Sequence, residues 1–337
     1  MVAQMDSHFK ALPIHRRVRR LMSYLLFEGR PLTTKGQFIN PILKVFYSTC
    51  SAFSKSKLKR DPAFILGTGR SGTTILGVSL AAHESVGFLN EPKLPWYCSN
   101  SLDDVIGSYS DSDALYSMSE SDFNQDSAQK ITAIYKAYER ISNCGLILDK
   151  YPEMIFRLAY VQQIFADGKF IFLFRNGKDI VSSISHWSER KGEKKAGETH
   201  DWWGRDDRKW TLLCNHVVAY DDDLKASIQN IKAYTDHKHR AAVEWIVTMK
   251  KGLQLKQQEL SNFYPLRYEE YVTDEQVRSN LLDFLNLPTS DTYNDYCQKA
   301  LREPVSHGEF FLPSEILDTF NRVQKELGYK DFANHEK

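Results

Sequence analysis

Residues 61–76 read Asp61-Pro-Ala-Phe-Ile-Leu-Gly-Thr-Gly-Arg-Ser-Gly-Thr-Thr-Ile-Leu76. Ala63 to Leu66 is a short apolar run stopped by glycine, the pattern of a buried strand. Gly67, Gly69 and Gly72 permit a tight turn and a close approach of backbone to a ligand. From Thr73 to Ala82, Ile75, Leu76, Val78 and Leu80 recur as in a helix packed on a sheet. Strand, glycine loop and helix start form an anion cradle, because backbone N–H groups and the helix dipole converge on one point.

The spacing from Gly67 to Gly72 is that of the nucleotide-triphosphatase loop G-x-x-x-x-G-K-[ST]. Thr73 stands where the lysine belongs, and the positive charge sits inside the loop at Arg70. ATP or GTP hydrolysis is therefore the weaker reading.

Outward from the loop, the chain alternates strands and helices. Val86 to Pro92 is a second strand running into a turn, with Pro92 expected to keep Glu91 extended. Leu94 to Gln129 is polar and acidic without a lysine or arginine, which predicts an insertion at the substrate mouth or a mobile loop. An acidic mouth would favour a cationic acceptor. A helix follows from Ile131 to Ser142, then a strand over Gly145–Asp149 and a helix over Met154–Phe165. Lys169 to Phe174 is a continuous apolar run, as expected of a parallel strand buried on both faces. It ends on Arg175 and turns into a helix, Ile180 to Trp187, with Asp179 placed to cap it. Ser188 to Trp210, with Trp202, Trp203 and Trp210 interleaved and Trp187 just before it, reads as a loop closing over a ligand or as peripheral packing. A helix at His239–Gln258, a strand at Asn262–Tyr268, a helix at Val277–Leu285 and an amphipathic tail at Glu315–Leu327 complete the pattern. It predicts an α/β fold: a single domain whose central, mostly parallel sheet is flanked by helices, like that of P-loop nucleotide triphosphatases.

Composition narrows the function. The 337 residues are 42% hydrophobic with a net charge of +1, enough for a buried core and without global attraction to nucleic acid. No apolar run approaches the roughly 18 residues that span a bilayer, and Ser23–Phe27 is too short for a signal-peptide core. Five scattered cysteines without C-x-x-C suit free thiols in a reducing, cytoplasmic setting, and no metal site is expected. Residues 1–60 carry twelve basic side chains against Asp6 and Glu28, a local +10. This basic, helical N-terminal extension precedes a main domain expected over 61–337. Within the extension, Arg16 to Phe27 forms either a basic amphipathic helix, touching an anionic membrane surface through residues 10–30 or an acidic partner, or a solvated helix lying on the domain.

Two anion sites follow predicted strands: the loop 69–74, and Arg175 with Ser182 and Ser183 in the next helix. Ligands in open α/β sheets bind beyond the carboxyl ends of strands, so both sites are expected at one crevice. Two separate phosphate sites imply a nucleotide phosphorylated at two positions.

These residues resemble the sulfotransferases that use 3′-phosphoadenosine-5′-phosphosulfate. Gly69-Arg70-Ser71-Gly72-Thr73-Thr74 is similar to that family's 5′-phosphosulfate loop. Arg175-Asn-Gly-Lys-Asp-Ile-Val-Ser-Ser183 is similar to its 3′-phosphate motif, with the same separation of eight from arginine to serine. The resemblance covers roughly residues 61–290 and is greatest to the branch of tyrosylprotein and bacterial enzymes. It implies that Glu91 in Leu-Asn-Glu-Pro is the general base. Lys150 in Leu-Asp-Lys-Tyr-Pro would contact the transferring group together with Arg70, and Tyr268 would line the adenine pocket. Tyr151 stands where the cytosolic branch carries a histidine base. Val305-Ser-His-Gly308 is the nearest substitute for the basic C-terminal segment that relatives fold over the nucleotide. The implied reaction is sulfuryl transfer, without metal, to a hydroxyl or amine of a small acceptor such as a carbohydrate, lipid-linked or specialised metabolite. The alternatives are a protein-tyrosine sulfotransferase and a non-catalytic P-loop nucleotide-binding protein.

Overall fold

The computed structural model describes residues 9–10, 12–30, 36–53, 57–195, 197–303 and 309–334. Asp6, Val305–Gly308 and two of the twelve basic residues counted in 1–60, Lys35 and Lys55, lie outside the described residues.

Five short strands build the main sheet: β1 (Ala63–Gly67), β2 (Val86–Asn90), β3 (Leu146–Lys150), β4 (Lys169–Phe174) and, late in the chain, Phe263–Arg267. Their order is β2-β3-β1-β4 followed by Phe263–Arg267, and every pairing is parallel. Side chains alternate across this sheet as the strand period requires. Phe64 and Leu66 of β1 with Phe170 and Phe172 of β4 enter one apolar layer, and Phe64 stacks on Phe170 at 5.4 Å. Ala63 and Ile65 with Ile171 and Leu173 enter the layer on the opposite face. Both layers are buried, which explains the uninterrupted apolar run at 169–174.

The first layer is covered by α1 (Ile14–Phe27), α2 (Asn40–Phe53) and the helices at Lys93–Ser99, Gln125–Ser142 and His237–Gln257. Both α1 and α2 pack on the helix 125–142, with Phe27 meeting Tyr138 edge-on at 5.1 Å. The second layer is covered by α3 (Thr73–Leu80) and by helices between Tyr268 and Ala300.

Several boundaries differ from expectation. Lys93–Ser99 is helical within the stretch read as a loop, because Leu94 and Trp96 are core residues. The helix after β4 runs from Gly177 to Lys191, and its cap is Asn176, whose side-chain oxygen accepts from the Lys178 N–H. Asp179 instead lies in the first turn and pairs with Arg175. A small antiparallel sheet follows, made of β5 (Glu193–Lys195), β6 (Glu198–Asp201) and β7 (Gly204–Arg205). Tyr268 opens a helix rather than ending the strand, now numbered β8 (Phe263–Arg267).

Candidate active site

Register brings the strand ends together. Gly67 pairs with Leu173, while Lys150 pairs with Ile65 on one side and Asn90 on the other. The loop after β1, Glu91 after β2, Lys150 ending β3 and Arg175 after β4 therefore surround one cavity of about 870 Å³. Of the residues singled out in the sequence, Gly69, Arg70, Gly72, Thr73, Thr74, Glu91, Lys150, Arg175, Ser183 and Tyr268 all line it. Ser71 does not. It is fully buried, and its hydroxyl donates to the Thr68 carbonyl (2.7 Å), closing the loop from behind. Ser182 is also absent from the wall.

The loop is held in a demanding conformation. Gly72 has φ +99° and a Cβ there would collide with the Tyr268 ring; at Gly69 a Cβ would strike Trp202. Arg70 and Glu91 are non-glycine residues at φ 70° and 54°. The left-handed backbone at Glu91 corrects the extended conformation expected before Pro92.

Of the five arginines that line the cavity, Arg70 and Arg175 stand at the two anion sites expected from the sequence. Arg70 Nε donates to Ser183 Oγ (3.1 Å), joining the glycine loop to the helix after β4. Arg175 contacts Asp179 (3.1 Å) and lies 5.0 Å above the Tyr268 ring centre. Burial, and then the charge on Arg175, hold the Arg70 pKa below its ordinary value, although Glu91 opposes this. The Nε of Arg175 and the hydroxyl of Thr68 are buried without a hydrogen-bond partner. Repelling guanidiniums and an unsatisfied buried donor are both relieved by a bound anion. The cavity wall carries eight Lys and Arg side chains against five Asp and Glu, so its field favours a polyanion.

Glu91 ends a chain of alternating charge. Its carboxylate meets Lys150 Nζ and, at 3.5 Å, Lys93. Lys93 reaches Glu153 (3.5 Å), Glu153 reaches Lys209 (3.3 Å), and Lys209 reaches Glu244 (2.7 Å). Glu244 then accepts from the indole N–H of Trp202 (2.7 Å), the ring that covers Gly69. Burial raises the Glu91 pKa, but Lys150 and Lys93 outweigh it and hold the carboxyl below its ordinary value. About 39% of the side-chain surface remains open, so the carboxylate is deep in the cleft yet reachable from the cavity. Glu153 is likewise pushed up by burial and pulled down further by Lys93 and Lys209, to about 2.

Lys93, Glu153, Lys209 and Arg302 were not singled out in the sequence. Lys93 and Glu153 lie two and three positions beyond Glu91 and Lys150, a proximity that could have marked them. Nothing local marks Lys209. The tryptophans divide between the two readings: Trp187 and Trp202 line the cavity, whereas Trp203 and Trp210 are core. The acidic stretch does not make an acidic mouth. Asp103 pairs with Arg157, Asp104 accepts backbone N–H groups of Ser108, Tyr109 and Ser110, and Asp111 pairs with Arg205. Its contribution to the wall is Ile106, Ser108 and Tyr109.

Residues 62–224 match the family model described as the sulfotransferase family. This segment belongs to the sulfotransferases. The chain is also similar to the sulfotransferase domain of the curacin biosynthetic pathway, at 17% identity and TM-score 0.48 over 82% of this chain and 99% of that one. The sulfotransferase domain of the Synechococcus PCC 7002 olefin synthase gives 16% and 0.45 over 82% and 99%. Sulfotransferase STF9 from Mycobacterium avium gives 12% and 0.46 over 88% and 83%. A comparison with curated proteins found no match. The sulfotransferase segment supplies the loop, Glu91, Lys150, Arg175 and Ser183. Tyr24, Glu28, Gly29 and Arg30 before it, and Tyr268, Arg302 and Glu303 after it, complete the wall. No helix among the described residues is long and apolar enough to cross a membrane.

Proposed function

We propose that this sulfotransferase moves a sulfuryl group from 3′-phosphoadenosine-5′-phosphosulfate to a hydroxyl or amine of a small-molecule acceptor, with Glu91 as general base. The observation that carries this reading is the pair Arg70 and Arg175 in one cavity, with Arg70 bonded to Ser183 and the Arg175 Nε left unsatisfied. When bound, the nucleotide supplies an activated sulfuryl group.

The residues then divide the work. Arg175 and Ser183 hold the 3′-phosphate, and Tyr268 packs beside Arg175 where the nucleoside would lie. The N–H groups of the loop from Gly69 to Thr74 hold the 5′-phosphate. Arg70 and Lys150 stabilise the negative charge that grows on it during transfer. Glu91 accepts the acceptor's proton as the new bond to sulfur forms. The cavity wall aligns acceptor and donor and excludes water. Five free cysteines suit the reducing conditions of the cytoplasm.

Calorimetry with 3′-phosphoadenosine 5′-phosphate and with adenosine 5′-phosphate tests the nucleotide assignment. We expect the bisphosphate to bind the more tightly. Arg175→Ala should remove about 2–3 kcal/mol of that preference, the scale of charge-assisted hydrogen bonds. Equal affinity for both nucleotides in the native protein would overturn it.

A further inference from the structure

Helix α1 is turned inside out. Ile14, Val18, Leu21, Met22 and Leu25 recur at helical spacing on one stripe, and every one is exposed, from 41% to 72%. The opposite side, which faces the protein, carries Arg20, Ser23 and Tyr24 beside Phe27. Ser23 is buried, and Arg20 donates to the Ala81 carbonyl (3.3 Å). A helix lying on a water-soluble domain does the reverse, burying its apolar stripe and wetting the polar one. Helix α2 repeats the feature: Phe38 just before it and Ile42 and Val45 within it are 69% to 82% exposed. Eight of the ten large apolar side chains exposed among the described residues thus fall between Ile14 and Val45.

We infer that this face seats the protein on an anionic membrane surface. Charge selects that occupant. Arg17 borders the α1 stripe on one side and His15 with Arg19 on the other. Between residues 9 and 53 the only carboxylate is Glu28, which is buried. A second copy docking through the same face would bring these arginines onto themselves, whereas phosphate headgroups pair with them while the stripe enters the acyl boundary. The helix has 14 residues, too short to cross a bilayer but long enough to lie along its surface. Its continuation reaches the cavity, because Tyr24, Glu28 and Arg30 line that wall.

Sedimentation of the full chain with vesicles tests the inference. We expect binding to phosphatidylcholine vesicles containing phosphatidylglycerol, weakening as salt is raised, and little binding to phosphatidylcholine alone. The double variant Leu21→Glu, Leu25→Glu should lose vesicle affinity at least about tenfold. Its melting temperature and nucleotide affinity should be unchanged, since both side chains point to solvent. Arg19→Glu should weaken binding to the anionic vesicles. Failure to sediment with anionic vesicles, or equal binding to both compositions, would overturn the inference. So would a dimer in lipid-free light scattering that the double variant dissolves, since the face would then be covered by a second copy.

Discussion

At the scale of single residues, Glu91 joins two unusual conditions. Its left-handed backbone (φ 54°) is strained for a side chain followed by proline, and its carboxylate sits between Lys150 and Lys93. Surrounding structure has to hold such a conformation, and the Glu91 N–H does bond the Lys150 carbonyl at 2.8 Å. For proton acceptance the charges have a definite sign. The two ammonium groups keep the carboxyl pKa below its ordinary value, about 4.3 for a free glutamate, so the base is ionised throughout the neutral range. The pH profile of kcat/KM should accordingly show no acid limb from Glu91 above about pH 5. Glu91→Gln should retain nucleotide affinity and lose roughly a hundredfold in kcat. An undiminished kcat would remove Glu91 from the base role, and a loss of nucleotide affinity alone would make it a binding residue.

At the scale of elements, the glycine loop and the charge chain set the shape of the cavity. Gly72 combines positive φ with van der Waals closeness to Tyr268, so alanine there meets both backbone strain and a ring that would have to move. Gly72→Ala should cost about 1–3 kcal/mol in stability and displace Tyr268 from Arg175. The check is a lowered urea midpoint together with weakened nucleotide binding. The chain from Glu91 to Trp202 is sensitive to loss of one member. Glu153 lies between Lys93 and Lys209, with only about 10% of its side-chain surface exposed. Glu153→Gln leaves two buried ammonium groups with less compensation, and should destabilise the fold by about 3–5 kcal/mol. A melting temperature equal to that of the native protein would show that these charges are better solvated than their burial implies.

At the scale of the whole molecule, β3, an interior strand of the sheet, carries a buried acid. One Asp149 oxygen accepts from Trp96 Nε1 (2.9 Å) and from the Tyr135 hydroxyl, while the other has no partner. Burial pushes this carboxyl up to about 7, with the Tyr135 and Trp96 donors opposing. The unfolded chain releases the proton near 3.9, so the folded state binds it more tightly. Its contribution to stability is therefore complete below about pH 4 and is lost as pH rises through about 7. Asp149→Asn keeps an acceptor for both donors and removes the titration. The variant should match the native protein at low pH and exceed its stability above neutrality by on the order of a few kcal/mol. Denaturant midpoints from pH 4 to pH 8 would test this, and parallel curves would refute it.

The residue order by itself determined the strand–loop–helix at 61–80 and the buried strand at 169–174. Their signals are local: an apolar run, glycines at fixed spacing and a helical repeat. For the same reason the wall residues Arg70, Glu91, Lys150 and Arg175 were legible, each standing at the end of a predicted strand or in the loop that follows one. Only the tertiary structure decided which groups meet. Lys209 joins Glu153, and Trp202 covers Gly69, across intervals that no short pattern spans. It also decided that the acidic stretch 103–111 is spent on internal partners, and that helix 14–27 turns its apolar stripe outward. Burial depends on what packs against a segment from elsewhere in the chain, and periodicity shows that a stripe exists without showing which way it faces.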